Sequence, residues 1–310
     1  MQNNLLPCII GPTASGKTQI AVALAETIDG EIISADSRQV YRGMNIGTGK
    51  DLTEYEIKGK LIPFHLIDMV EPGYRYNIFE YQRDFYNAYQ DIINRNRQAI
   101  LCGGSGMYIT SVLDNYRLEE VKENKALREK LDNMSTEELI NLLMSYTSLH
   151  NHTDTCDRER LIRAIEIQDY YKNNPEKSKQ ILFQPLIFYI HYERDELRKR
   201  ITNRLHIRLQ EGMIEEVEAL LKKGVPSDDL IYYGLEYKYL TLYLINQLTY
   251  DEMVKLLNTA IHQFAKRQRT WFRGMQRKGY HFHVIDGNLK TNDKLNFILT
   301  NLKKAKKQEF

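Results

Sequence analysis

The sequence predicts an α/β fold, a parallel β-sheet flanked by helices and interrupted by a mostly helical insertion. Three observations predict it. Apolar runs that read as strands alternate with helical patterns along most of the chain. Glycine-bearing segments stand close behind three of those runs. Between residues 115 and 181 the strand signal gives way to a polar, helix-like stretch rich in Glu, Lys, Asn and Arg.

The first element is the run Leu5–Ile10, a strand followed at once by GPTASGKT and the helix-like QIAVALAETI. Strand, glycine-rich loop and helix in that order make the sheet P-loop NTPase-like. Glycines let backbone approach a phosphate, and loop amides with the helix N-terminus turn positive dipole toward it. Gly11, Pro12, Thr13, Ala14, Ser15, Gly16, Lys17 and Thr18 are therefore the candidate phosphate-binding residues. Lys17 adds a mobile cation, and Thr18 can offer its hydroxyl to a phosphate or to Mg²⁺. The motif announces a phosphorylated ligand without saying which one.

The second strand, Glu31–Ala35, runs into Asp36, Ser37, Arg38, Gln39 and Tyr41 and a second glycine-bearing segment, Gly43–Gly49. A carboxylate at a strand end facing a phosphate site can act as a general base or as a metal-linked group. The plainer alternative is a cap or a turn residue. The third strand, Ala99–Cys102, breaks into Gly103-Gly104-Ser105-Gly106. That turn would admit a ligand and offer the Ser105 hydroxyl, or simply join strand to helix. Leu186–Ile190 and His281–Ile285 are the fourth and fifth strands. Ligands of such sheets bind at the carboxyl ends of the strands, so the P-loop, Asp36 and the Gly-Gly turn should meet in one crevice.

Helical spacing marks the remaining elements. Leu197, Ile201, Leu205, Leu209, Met213 and Val217 recur every four residues, predicting one helix over 193–223 that Gly224-Val225-Pro226 ends. Arg200, Arg204 and Arg208 share a stripe of it. They suit a diphosphate, or alternatively pair with Glu193, Asp195, Glu196 and Glu211. Within Asp157–Ile167, Leu161 and Ile165 share a face flanked by Arg160 and Arg163. A helix over 251–273 places Val254, Leu257, Ile261, Phe264 and Trp271 in an apolar stripe. Lys266, Arg269 and Arg273 lie opposite, in a row suited to nucleic-acid phosphates or to solvent. The expected organisation is a core of residues 1–114 and 182–298, the insertion 115–181, and a basic, frayed tail at 299–310.

Bulk properties narrow the class. The chain has 310 residues, 42% hydrophobic and 27% charged, with a formal net charge of only +2, an ordinary globular composition. No stretch approaches the ~18 apolar residues of a membrane span, and no leader pattern precedes the first strand, so a cytoplasmic protein is expected. Basic residues cluster at 194–208, 266–278 and in the terminal KKAKK, so local patches can bind phosphates despite the small net charge. Cys8, Cys102 and Cys156 are scattered without metal-ligand spacing, which argues against disulfides and structural zinc.

GPTASGKT, ADSRQVYRGMNIGT, GGSGMY, DRERLIRAIE, EGMIEEVEAL and FAKRQRTWFR together resemble the tRNA dimethylallyltransferase family, in that family's order, from about residue 8 to 286. The resemblance implies transfer of a dimethylallyl group from dimethylallyl diphosphate to N6 of adenosine 37, in tRNAs that read codons beginning with U. It implies that Mg²⁺ assists the departing diphosphate, and, with no C-terminal zinc-finger pattern seen, an enzyme of the bacterial type is expected. The resemblance also implies that Lys17, Thr18 and Arg204 hold the diphosphate and that Asp36 takes the proton from the adenine amine. It further implies that Ser37, Arg38 and Gln39 contact neighbouring anticodon bases. By position, Ser105, Arg128, the segment Glu159, Arg160, Leu161, Ile162 and Arg163, and the segment Lys266, Arg267, Gln268, Arg269, Thr270, Trp271, Phe272 and Arg273 match tRNA-contacting sites. The insertion would grip the anticodon stem-loop, and a monomer is expected. The chain departs from the family pattern at Ser105 for Thr, at Gly49 in Gly47-Thr48-Gly49-Lys50 for GTAK, and at Glu236 where many members have the glycine of Gly-Tyr-Lys.

Three rival readings are compatible with parts of the sequence. An adenylate isopentenyltransferase would share the P-loop and the Asp, but needs neither the insertion nor the basic 266–273 face. A nucleotide kinase would need a lid arginine set and a base pocket. A non-catalytic RNA-binding protein would have no use for intact Lys17, Thr18, Asp36 and Arg204.

Overall fold

The computed structural model describes residues 5–146, 157–175 and 181–307, and these divide into two compact units. The larger comprises the described residues up to Tyr116 and from Ile181 onward; the smaller comprises the described residues between Arg117 and Pro175. Cys156 lies outside the described residues.

The larger unit is built on a six-stranded sheet in the order β5-β2-β6-β1-β7-β8. Its strands are β1 (Leu5–Ile10), β2 (Gly30–Ala35), β5 (Phe64–His65), β6 (Gln98–Gly103), β7 (Gln184–His191) and β8 (Phe282–Asp286). Every pairing in it is parallel. β1 and β2 are buried along their whole length, as continuous apolar runs in a sheet covered on both faces require. Two further strands, β3 (Glu56–Ile57) and β4 (Lys60–Leu61), form a separate antiparallel pair. The helices of this unit are α1 (Lys17–Ile28), α2 (Ile78–Asn94), α3 (Gly106–Leu113), α7 (Arg194–Gln210), α8 (Met213–Lys222), α9 (Ser227–Tyr232), α10 (Leu235–Leu244), α11 (Tyr250–Arg277) and α12 (Thr291–Lys307). Those of the smaller unit are α4 (Lys125–Asp132), α5 (Thr136–Tyr146) and α6 (Arg158–Asn173).

Register fixes where the functional loops emerge. Ala35 of β2 and Ile10 of β1 both pair with Gly103 of β6, and Ile10 also pairs with Tyr189 of β7. The carboxyl ends of β2, β6 and β1 are thus level. The first residues beyond them, Asp36, Gly104 and Gly11, stand side by side on one edge.

Three expectations are corrected. The predicted helix over 193–223 is two helices, because Gly212 takes a left-handed φ of 97° that a continuous helix cannot hold. The apolar spacing survives the break: Leu197, Ile201, Leu205, Met213 and Val217 are all buried. The tail from 299 is not frayed through Lys307. Ile298 and Leu302 are buried on one face of α12, which packs against α1. The buried stripe of α11 is Met253, Leu257, Ile261, Ala265, Phe272 and Met275, rotated from the predicted one, and Phe264 is exposed.

The smaller unit has its own core of Leu131, Leu139, Leu143, Leu161, Ile162 and Ile165. Among the described residues no helix is long and apolar enough to cross a membrane. Cys8 and Cys102 are buried free thiols.

Candidate active site

The P-loop leaves β1 and enters α1 through two left-handed residues, Ala14 (φ 61°) and Gly16 (φ 73°). Gly16 occupies the N-cap of α1 and supplies no capping side chain, so the first amides of the helix stay available to an anion. The Ser15 hydroxyl is buried without a partner among the described residues. Lys17 is drawn inward, its Nζ 3.4 Å from the Pro12 carbonyl. Burial lowers its pKa, while Asp36 and Glu54 nearby act in the opposite sense.

Gln268 of α11 ties two of these loops together. Its Oε1 accepts from the Thr13 N–H at 2.8 Å and its Nε2 donates to the Gly104 carbonyl at 2.9 Å. Arg200 is likewise committed: it donates to the Ala14 carbonyl at 3.0 Å and lies 4.5 Å over the Tyr192 ring. Both residues brace the phosphate loop from behind.

Asp36 sits at the end of β2, one oxygen accepting the Arg38 N–H at 2.9 Å. The turn alternative is therefore true of that oxygen. The carboxylate nevertheless lines a cavity of about 400 Å³ that also takes in Thr13 to Thr18, Arg38, Ser105, Arg204, Arg208, Glu236 and Arg267. Ser105 Oγ accepts the Ser37 N–H at 3.1 Å, joining the second and third strand ends. Gln39 is tied down, with Ser34 on its carbonyl and the Gly49 carbonyl receiving its amide at 3.3 Å.

The Gly43–Gly49 segment is held by a residue that local spacing did not single out. Glu216 of α8 accepts the N–H groups of Asn45, Ile46 and Gly47 at 2.8, 2.8 and 3.1 Å, and the Tyr237 hydroxyl at 2.6 Å. Buried Lys50 completes the clamp from below by pairing with Asp68 and donating to the Tyr41 carbonyl at 2.8 Å.

Arg204 and Arg208 do not pair with Glu193, Asp195, Glu196 or Glu211. Among the described residues neither guanidinium has a hydrogen-bond or ion-pair partner, and both face the cavity. Burial lowers the pKa of Arg204, and burial together with the adjacent Arg204 lowers that of Arg208 to about 10. Glu236 lies beside them, its pKa raised by burial against the pull of the two arginines.

The two cation segments divide by burial. On α11, Lys266, Arg267, Thr270 and Arg273 are exposed and Arg269 is half-buried. Arg269 and Arg273 share a hollow of about 250 Å³ with Tyr189 and His191. Phe272 is 1% exposed, Gln268 is spent on the loops, and Trp271 lies against Gly106, where any side chain would collide with its ring. Of these three, Gln268 and Phe272 are buried and Trp271 is half-buried. In the smaller unit Leu161 and Ile162 are core residues. Arg128 forks onto buried Glu166 with two bonds of 2.8 Å, and Arg163 reaches the same carboxylate at 3.2 Å and the Val121 carbonyl at 2.6 Å. Both arginines hold that unit's interior, while Glu159 and Arg160 stay exposed.

Comparisons with known proteins agree with this architecture. The IPP transferase family model matches residues 39–275, and an isopentenyl transferase model matches residues 5–68. The tRNA dimethylallyltransferase 1 of Parabacteroides distasonis is 55% identical over 296 residues, covering 95% of this chain and 96% of that one. Its counterpart in Geotalea uraniireducens is 51% identical, covering 93% and 94%. Among solved structures, a tRNA isopentenylpyrophosphate transferase of Bacillus halodurans superposes with a TM-score of 0.71 at 29% identity, covering 99% of each chain. A eukaryotic dimethylallyltransferase acting on tRNA shares the fold, with a TM-score of 0.74 at 22% identity, over 91% of this chain and 73% of that one.

Proposed function

Because this chain belongs to the IPP transferase family, we propose that it transfers a dimethylallyl group from dimethylallyl diphosphate to N6 of adenosine 37 in tRNAs reading codons that begin with U. One observation carries the reading. A phosphate cradle and a carboxylate open into the same cavity, at strand ends separated by one intervening strand. Two strand spacings are roughly 10 Å, which leaves room for an allyl group between a diphosphate and a base.

The residues divide the reaction as follows. The P-loop amides, Lys17 and Arg204 bind the diphosphate. Charge accumulates on that leaving group as its C1–O bond breaks, so cations and amides already fixed there stabilise the transition state. The N6 lone pair forms the new C–N bond, pyrophosphate leaves with the C1–O electron pair, and Asp36 accepts the N6 proton. Adenosine 37 must leave the anticodon stack to enter the cavity. Arg38 and Ser37 stand at the same strand end and would contact flanking bases. The exposed cations Lys266, Arg267 and Arg273 offer contacts to the RNA backbone.

Mg²⁺ fits this donor set as a substrate-borne ion. Among the described residues no group of three His, Cys, Asp or Glu could hold a metal. The Thr18 hydroxyl lines the cavity without a protein partner there, so Thr18 would hold the ion together with diphosphate oxygens and water. Bound there, the ion would neutralise charge on the leaving diphosphate.

Substitution Asp36→Asn tests the assignment of the base. Removing a general base costs ~10²–10⁴ in rate. The expected result is a fall of that size in kcat with unchanged affinity for pyrophosphate. A kcat within a factor of a few of the parent would overturn the role given to Asp36.

A further inference from the structure

We propose that Arg208 is a second diphosphate-binding arginine of this chain, admitted beside Arg204 by Gly49 and charge-balanced by Glu236. The proposal rests on the diphosphate reading above and extends it to residues that reading does not use.

Gly49 carries the argument. A Cβ built there would overlap the Nη2 atoms of both Arg204 and Arg208, and lie 2.8 Å from Nη1 of Arg208. The two guanidinium groups thus converge on one point, and that point is vacant only because residue 49 has no side chain. The backbone cannot step aside to make room for one. The Gly49 N–H donates to the Ile46 carbonyl at 3.1 Å, its carbonyl accepts from Gln39, and Lys50 N–H donates to the Asn45 carbonyl at 2.9 Å. Its φ of 70° independently favours glycine.

Two guanidinium groups aimed at one place repel each other, so something must compensate. Glu236 lines the same cavity, and its carboxylate is the leading opposing charge on Arg204 and the leading carboxylate acting on Arg208. It forms no direct ion pair with either among the described residues. A carboxylate at that remove offsets the repulsion while leaving the donor edges of both guanidinium groups to an incoming anion. Arginine forks bind phosphate oxygens in pairs, and Arg204 and Arg208 line the same cavity as Lys17. Gly49 and Glu236 are also two of the positions at which the sequence departs from the family pattern. They meet at the same pair of arginines.

The clamp makes predictions of opposite sign for its two members. In calorimetric titration of the full chain with inorganic pyrophosphate and Mg²⁺, Arg208→Met should weaken binding roughly 10- to 100-fold, the loss of a charge-assisted contact. Glu236→Gln should tighten it, because it removes the charge that offsets the arginines. In steady-state transfer assays Arg208→Met should raise KM for dimethylallyl diphosphate and leave KM for an anticodon stem-loop unchanged. Gly49→Ala should cost less in the Arg208→Met background than in the parent, since the collision is then half relieved. A pyrophosphate affinity indifferent to Arg208→Met overturns the proposal. If that variant does not fold, Glu236→Gln decides alone: tighter pyrophosphate binding supports the clamp, and equal or weaker binding overturns it. Arg208-dependent pyrophosphate binding in a chain that transfers no prenyl group would uphold the clamp and sink the reaction proposed above. Prenyl transfer with a pyrophosphate affinity independent of Arg208 would do the reverse.

Discussion

Gln268 stands between Arg267 and Arg269 in a strongly basic run, and nothing in those neighbours separates it from an RNA-facing residue. Its role emerges only when α11 is laid against the sheet, where its two amide ends bridge the P-loop and the Gly-Gly turn. The same holds for Arg128 and Arg163, which the resemblance matches to tRNA-contacting sites and which fold onto a buried carboxylate. A residue's type was legible from the sequence; the direction of its side chain was not, because direction depends on partners distant in the chain. The P-loop was the exception. Its function resides in the backbone of one continuous segment, so its whole device is written locally. Replacing Gln268 by Ala leaves the Thr13 N–H and the Gly104 carbonyl without that partner. Each lost bond is worth about 1 kcal/mol. Steady-state kinetics should show KM for dimethylallyl diphosphate rising by about tenfold or more, with KM for the stem-loop unchanged. A variant that changes only the stem-loop KM would return Gln268 to the RNA face.

Elements were legible in proportion to their length. The five longer strands run five to eight residues, enough for an apolar pattern to show, whereas β5 has two residues and no periodicity to display. β5 lies against β2, where Glu31 draws it in: the His65 ring nitrogen is 2.7 Å from the Glu31 carboxylate, which Arg95 and Arg97 also bind. The missed break in the helix at 211–212 has the opposite cause, since the apolar spacing continues across Gly212 and hides it. In the smaller unit, α4 and α6 are locked by Glu166. Burial pushes its pKa upward, but hydrogen bonds from Arg128, the Asn124 N–H and Arg163 outweigh it and bring the carboxyl to about 2. That lies below the ~4.3 of an unfolded glutamate, so the stabilisation is complete above pH ~4.3 and is lost as pH falls toward 2. Thermal melts of the chain should show that acid-side loss. Glu166→Gln should abolish this component and destabilise the smaller unit by about 1–3 kcal/mol, since two partly exposed arginines lose their charged hydrogen-bond partner. An unchanged melt at neutral pH would refute the lock.

At the scale of the whole molecule, the parallel sheet follows from patterns visible in the sequence, and the level strand ends from its register. The loops at the strand ends meet because register makes them meet. The phosphate cradle, Asp36 and the exposed cations of α11 then belong to one larger unit with a single cavity joining the first two. This assembly supports a prenyl acceptor larger than a free nucleotide, although the isopentenyl transferase match at residues 5–68 keeps a nucleotide acceptor testable. The decisive measurement is transfer of radiolabelled dimethylallyl from its diphosphate, with Mg²⁺, to an unmodified stem-loop carrying A36-A37-A38. AMP and a stem-loop with A37 replaced by G run alongside. Label on the A37 stem-loop alone is the predicted result. Label on AMP, or on the stem-loop lacking A37, would contradict it.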